Sequence, residues 1–187
     1  MRPEDAPRQR SLEQFRSYLL LLARLQLEAG PRQRLDPSDI VQQTLLEAHA
    51  RADQFQGDDS ALAAWLRQAL VNNLRDARRA LHRDKRDVRR EQSLEAAVEQ
   101  SSARLEGILA APHSSPSQRA VSNEDLLRLA DALILLPEAQ REAIVLHHLQ
   151  GCSLSETARR LDRTDAAVAG LLHRGLKKLR ELMISGE

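Results

Sequence analysis

The sequence predicts an all-α protein, and three observations carry that prediction. Aromatic residues are scarce, only Phe15, Tyr18, Phe55 and Trp65 in 187 residues, so the core must be filled by Leu, Ala and Val. Runs of Val, Ile and Thr that would seed strands are absent. Apolar residues recur instead at three- and four-residue spacings, the period of one helical face. A change of texture in the middle of the chain divides it into two small helical domains, 9–91 and 122–187, joined by a linker over 92–121.

A first amphipathic helix is expected from about Ser11 to Glu28, ended by Ala29-Gly30-Pro31. The second opens at "LDPSDIVQQTLLEAHARA". Asp36 is placed to cap it, Pro37 suits the first helical position, and Asp39 stands where a side chain returns to the cap. Ile40, Val41, Thr44, Leu45 and Ala48 form its apolar stripe and leave Asp39, Gln42, Gln43 and Glu47 outside. "DQFQGDDS" is a polar turn, and a long helix with the stripe Leu62, Leu66, Leu70, Leu74, Ala77 and Leu81 follows it.

Residues 92–121 are rich in Ser and Ala, with two prolines and a short apolar island at Leu105, Ile108 and Leu109. They read as a linker holding one helical piece at most. Beyond it, Asn123 is placed to cap "EDLLRLADALILL", and Pro137 ends that helix and opens the next, which stops at Gly151. Ser153 and Glu156 have capping-box spacing. The turn "DRTD" then leads to a last helix with Val168, Leu172, Leu176, Leu179 and Met183 inward.

Net charge is +1, so a nucleic-acid surface must come from local clustering. Two clusters exist. Residues 75–91 hold eight Lys/Arg against four Asp/Glu, and residues 159–180 hold seven against two. On a helical wheel Trp65, Asn72, Asp76, Arg79 and Arg83 share the side opposite the leucines, within about 40° of one another. A ring that stacks, an amide that reads a base edge and cations that meet phosphate suit a single strand. A solvated face, with Trp65 packed on a neighbouring helix, is the other reading of the same residues.

The second cluster is more specific. Two short helices joined by a tight turn, the second with a basic end, have helix-turn-helix form. Ala158 stands where the helices must approach closely. Asp162 replaces the usual turn glycine, which Asp tolerates better than most residues, and Arg163 occupies a position more often apolar. Ala167, Gly170, Arg174, Lys177, Lys178 and Glu181 face outward, so phosphate contacts should dominate affinity there.

Several classes are set aside. The one cysteine, Cys152, excludes an internal disulfide. The N-terminus lacks the apolar segment of a secretory signal, and no apolar run approaches the roughly 20 residues of a membrane span. A cytoplasmic location is therefore expected. His147, His148 and Cys152 make a poor metal set, because adjacent helical residues point about 100° apart and no fourth ligand stands nearby. No phosphate loop, nucleophile elbow or zinc-protease motif occurs, so neither enzymatic activity nor a cofactor is expected.

These motifs, in this order, resemble the bacterial RNA polymerase sigma factors of the extracytoplasmic-function type, over about Ser11–Ser185. "DIVQQTLLEAHA" resembles the family's core-binding helix and "WLRQALVNNLRDARR" its helix for melting and recognising the minus-ten element. Leu136, Pro137, Arg141 and Glu142, followed by the helix-turn-helix, resemble its minus-thirty-five domain. The resemblance implies that the two domains are a sigma region-two bundle and a C-terminal helix-turn-helix domain. It implies that Asp39, Gln42, Gln43 and Glu47 dock on the clamp helices of the polymerase largest subunit. Gln43 stands where the family often has Glu. It further implies that Trp65 and Asn72 meet the minus-ten element, with the turn from Phe55 to Ser60 holding a flipped base. Arg75, Arg78, Arg79 and Arg83 would follow the non-template strand. Arg159, Arg163, Thr164, Ala167, Arg174 and Lys177 would meet the minus-thirty-five duplex. The implied partners are core RNA polymerase and promoter DNA, duplex and single-stranded, and the family commonly has an anti-sigma regulator. A free-standing helix-turn-helix regulator and a helical adaptor module are the rival classes.

Overall fold

The structure, a computed structural model, describes residues 12–27, 35–55, 57, 59–81, 88–109 and 123–185. Among these residues there are helices and no strand. The chain divides into two compact units, Met1–Ser102 and Ala103–Glu187.

The first unit is built from α1 (Arg16–Leu27), α2 (Pro37–Ala50), a single 3-10 turn (Ala52–Gln54), α3 (Asp59–Leu81) and the first part of α4 (Val88–Leu109). Leu12 and Glu13 are already helical, a turn at Gln14 and Phe15 precedes α1, and Leu12 and Phe15 are turned inward. The breaker Ala29-Gly30-Pro31 lies outside the described residues. At α2, Asp36 accepts from the Ser38 amide at 2.8 Å and Pro37 occupies the first turn. That cap satisfies one of the amides a helix start leaves unpaired. All five residues of the expected stripe, Ile40, Val41, Thr44, Leu45 and Ala48, are buried.

α3 is the central helix of this unit. Leu66, Leu70 and Leu74 are fully buried and Leu62 nearly so, packed against α1 and α2. Each such leucine contributes about 1.5–3 kcal/mol of transfer free energy. Leu81 belongs to the same helix, but its side chain lies outside the described residues, as does the whole of residues 82–87.

The stretch read as linker is the main difference from expectation. Residues 88–109 form one 22-residue helix, α4. Leu94, Val98 and Leu105 are buried along it, together with Ser101 and Ser102. An apolar residue only every fourth or seventh position, eked out by small serines, gives too thin a stripe to stand out in sequence. Residues 110–122 lie outside the described residues.

The second unit contains α5 (Asn123–Ile134), α6 (Glu138–Ile144), a wider turn over Val145–Leu149, α7 (Leu154–Arg160) and α8 (Asp165–Ser185). The expected helix through Gln150 thus loosens after Ile144, with the Gln150 amide bonding the Val145 carbonyl five residues back. It ends at Gly151, whose φ of 75° favours a residue without a Cβ. Arg104, at the far end of α4, donates to the Leu149 carbonyl at 2.8 Å within this unit. α8 packs on α5, α6 and α7 through buried Val168, Leu172 and Leu179, while Leu176 and Met183 are only half-buried.

Among the described residues no helix is long and apolar enough to cross a membrane, and no group of His, Cys, Asp and Glu could hold a metal ion. His147 gives its Nδ1 to the Cys152 carbonyl at 2.8 Å, and its ring meets that of His148 edge-on at 4.9 Å. Burial first, and then the charge of His147, hold the His148 imidazolium below its ordinary value of 6.5. The folded chain therefore binds this proton less readily than the unfolded chain. The stability His148 contributes is present above 6.5 and is lost as pH falls from there toward the lowered folded value. Urea unfolding of the whole chain across this range should show a decline that His148→Gln reduces. An identical decline in the variant would contradict the assignment.

Candidate functional site

Two surfaces of the first unit and one of the second hold the residues that the sequence singles out. The first surface is the outer side of α2. Asp39, Gln42, Gln43 and Leu46 are exposed on it at i, i+3, i+4 and i+7, one helical face. Leu46 was not marked by the sequence, although it is 58% exposed. Its place outside the Ile40–Ala48 stripe was the available signal. Glu47 is half-buried and accepts from Gln43 Nε2 at 2.7 Å and from Asn73 Nδ2 at 3.4 Å.

Asn73 is the residue that sequence reasoning passed over in favour of its neighbour. By the 100° wheel it falls about 20° from Leu66, inside the leucine stripe. Its amide donates to Thr44 Oγ1 at 3.1 Å, and Thr44 itself bonds the Ile40 carbonyl at 2.8 Å. A polar side chain in a buried stripe requires such partners. Asn73 thereby joins α3 to the base of the exposed α2 face.

The second surface is the outer side of α3. Asn72, Asp76 and Arg79 are exposed in line, and Trp65 is half-buried. Phe55, beyond the 3-10 turn, lays its ring against Trp65 with centroids 5.4 Å apart and planes tilted by 31°. Gly57 makes this possible, since a Cβ there would stand 2.8 Å from both Phe55 Cζ and Ala61 Cβ. The ring pair forms one end of the face, with Asn72 and Arg79 further along it. Ser60 lies in the first turns of α3, with its side chain outside the described residues. Arg83 lies outside them altogether.

The arginines of α3 divide into two sets. Arg79 is on the outer face, 3.2 Å from Asp76 Oδ1, an exposed pair of small energetic weight. Arg75 is turned to the flank, where its Nη2 meets Glu95 of α4 at 3.0 Å. Arg78 is turned inward and donates to the Gln26 carbonyl at the end of α1 at 2.6 Å. Burial lowers the Arg78 pKa from its ordinary value. Helical periodicity thus sets Arg75 and Arg78 on the packed flank and Arg79 on the outer face. Arg67, on the same flank, donates to Glu99 at 2.8 Å and to the Tyr18 hydroxyl at 3.2 Å. Burial pushes its guanidinium down, but Glu99 and Tyr18 outweigh that and the net direction is up.

The third surface belongs to the helix-turn-helix. Ser153 caps α7 by accepting from the Glu156 amide at 3.1 Å, while the Glu156 carboxylate goes to Arg160 rather than back to the cap. The turn passes through Asp162 at φ 52°, the left-handed conformation that a glycine would ordinarily supply. Thr164 accepts from the Ala167 amide at 3.2 Å and so begins α8. Ser155 donates to Asp165 at 2.7 Å and ties the two helices together. Ala158 and Thr157 are buried at the crossing. Arg159, Arg163, Thr164, Ala167, Arg174 and Lys177 are all exposed. Arg174 folds back over Gly170, where a Cβ would lie 3.1 Å from its Nη1.

The family model for sigma-70, region 4, matches residues 126–179, the span from α5 through most of α8. The ECF RNA polymerase sigma factor SigD of Mycobacterium tuberculosis is 26% identical over 174 residues, covering 93% of this chain and 76% of that protein. The RNA polymerase sigma-E factor of Streptomyces avermitilis is 29% identical over 147 residues, covering 79% of this chain and 70% of its own. Among solved structures, the sigma factor RpoE of Bartonella quintana, crystallised with the anti-sigma factor NepR, aligns over 92% of this chain and 91% of its own. That likeness, at 23% identity and a TM-score of 0.34, is too distant to place any residue. The helix-turn-helix of the second unit thus lies within the segment that matches sigma-70, region 4. Over most of its length the chain is similar, at 26–29% identity, to sigma factors of Mycobacterium and Streptomyces, those of Mycobacterium being of the extracytoplasmic-function type.

The Asn73 bridge is directly testable. Asn73→Ala should cost about 1–2 kcal/mol in urea unfolding, the usual effect of leaving a buried acceptor without its donor. Asn73→Asp should cost more, because it sets a carboxylate against Glu47. Two variants as stable as the parent chain would show that the bridge contributes nothing.

Proposed function

We propose that this chain binds core RNA polymerase and directs it to promoters by holding the minus-ten element as a single strand and the minus-thirty-five element as duplex. The observation that carries the reading is the division of α3. One side is sealed by leucines, and the other sets half-buried Trp65 in line with exposed Asn72 and Arg79.

In this reading 9–91 is the polymerase-binding and minus-ten domain, 92–121 connects, and 122–187 is the minus-thirty-five domain. The clamp helices of the polymerase largest subunit meet Asp39, Gln42 and Gln43, with Glu47 held behind them. Leu46 supplies the apolar centre of that face, and such a centre with a polar rim is ordinary interface anatomy. Bases unstacked from the minus-ten element rest on α3, with the turn from Phe55 to Ser60 at one end and Arg79 toward the other, and Arg83 is assigned to the same strand. Each unstacked base costs a few kcal/mol, offset by stacking and phosphate contacts. Arg75 and Arg78 act from the flank.

On the duplex, α8 enters the major groove by its N-terminal turns, as recognition helices do. Ala167 and Gly170 let its backbone approach closely, and Arg159, Arg163, Arg174 and Lys177 meet phosphate. Thr164 fixes the helix start at the groove. An anti-sigma regulator belongs to the same proposal by family resemblance, with no surface assigned to it. The chain itself makes and breaks no covalent bond in this role.

The test is co-elution of the purified chain with bacterial core RNA polymerase on a sizing column. A stoichiometric complex, weakened by changing Asp39 and Gln42 together to Ala, is the expected result. Failure to bind a competent core, with dimeric binding to palindromic duplex instead, would overturn the reading in favour of a free-standing regulator.

A further inference from the structure

The first part of α4 meets its neighbours through a mainly polar contact. Only Leu94 and Val98 of residues 93–102 are buried apolar side chains. The rest of the contact is polar. Glu95 holds Arg75 and Glu99 holds Arg67, while Ser102 meets the Tyr18 hydroxyl at 2.9 Å and Ser101 accepts from Gln26 at 3.2 Å. The charged partners are unequally covered. The Arg67 and Arg75 side chains are 16% and 18% exposed, whereas those of Glu99 and Glu95 are 54% and 50% exposed. Two permanently charged guanidinium groups are thus shielded by carboxylates that stand half in water.

Half-solvated ion pairs form and break at little cost, because water and salt screen them. A phosphodiester is the same kind of partner for a guanidinium as a carboxylate, and Arg binds either in the same forked geometry. Arg75 lies beside the exposed face, with its Nη1 3.5 Å from Asn72 Oδ1. Arg67 stands eight residues before it on the same flank, about 12 Å along the helix.

We propose that residues 93–102 of α4 form an acidic strap, which occupies Arg67 and Arg75 of α3 and withholds them from nucleic acid until a single strand displaces it. This rests on the reading of α3 as the strand-binding helix. In the free chain the strap lowers affinity for stray single strands. Once a strand is held on the Trp65–Arg79 face, its phosphates exchange with Glu95 and then Glu99, anion for anion, and the two cations join the contact.

The test uses the full chain without polymerase. Binding of a short labelled DNA single strand is followed by fluorescence anisotropy across a range of salt concentrations. Glu95→Gln/Glu99→Gln is compared with the parent chain and with Glu138→Gln/Glu142→Gln, which removes the same charge from exposed positions in the second unit. The strap variant should bind several-fold tighter than both. Its logarithmic salt dependence should steepen by about 0.7 for each cation released. In the parent chain, amide hydrogen exchange over 93–102 should quicken when the strand is added, a readout that needs no variant. Equal gains in the two variants, or exchange that is unchanged or slowed, would overturn the strap. If the strap variant still binds core polymerase, those results overturn the strap alone. A parent chain that binds neither core nor single strand would overturn the functional reading and the strap with it.

Discussion

The first unit depends on one constraint: α3 must bury a continuous leucine face while keeping its opposite face open. Leu62, Leu66, Leu70 and Leu74 settle the first half of that requirement against α1 and α2. A helix sealed so firmly on one side can carry an unusually polar other side, because its position does not depend on what the exposed residues do. The neighbours also set its rotation. Asn73 is fastened to Thr44 on one flank, and Arg67, Arg75 and Arg78 are fastened to α4 and α1 on the other. Turning α3 by one residue would break all four attachments, so Trp65, Asn72 and Arg79 are held outward by contacts they do not make.

The second unit solves a related problem with local chemistry. A helix-turn-helix needs a sharp reversal between two short helices, and the usual device is a glycine. Here Asp162 adopts the left-handed conformation itself, while the Arg163 amide reaches back to the Ala158 carbonyl and Thr164 starts the next helix. Ser155 and Asp165 add a hydrogen bond across the turn. These local bonds fix the angle between α7 and α8 before larger-scale packing is considered, and they leave the basic side of α8 exposed.

Much of this was legible in the sequence, for physical reasons that differ by element. The α2 stripe and its Asp36 cap were readable because burial there follows strict helical spacing and the cap uses a residue type with one main purpose. The leucine side of α3 was readable for the same reason. α4 was not, since its docked side is made of serines, two spaced apolar residues and glutamates whose partners on α3 lie 20 and 32 residues away in sequence. Composition alone makes such a segment look like a linker. The roles of the α3 arginines were blurred for a similar reason. A run of cations reads as one basic tract, yet a 100° step per residue sends Arg75 and Arg78 to the packed flank and leaves Arg79 outside. Asn73 was hidden by its neighbour, although the wheel placed it among the leucines.

In the function proposed for this chain, the open face of α3 and the basic face of α8 together choose where transcription begins. Its most direct measurement is run-off transcription by core RNA polymerase from a library of random upstream sequences, with and without this chain, followed by sequencing of the transcript starts. With the chain present, starts should concentrate downstream of two recurring sequence elements. Starts distributed as they are for core polymerase alone, from a chain that still binds the core, would contradict it.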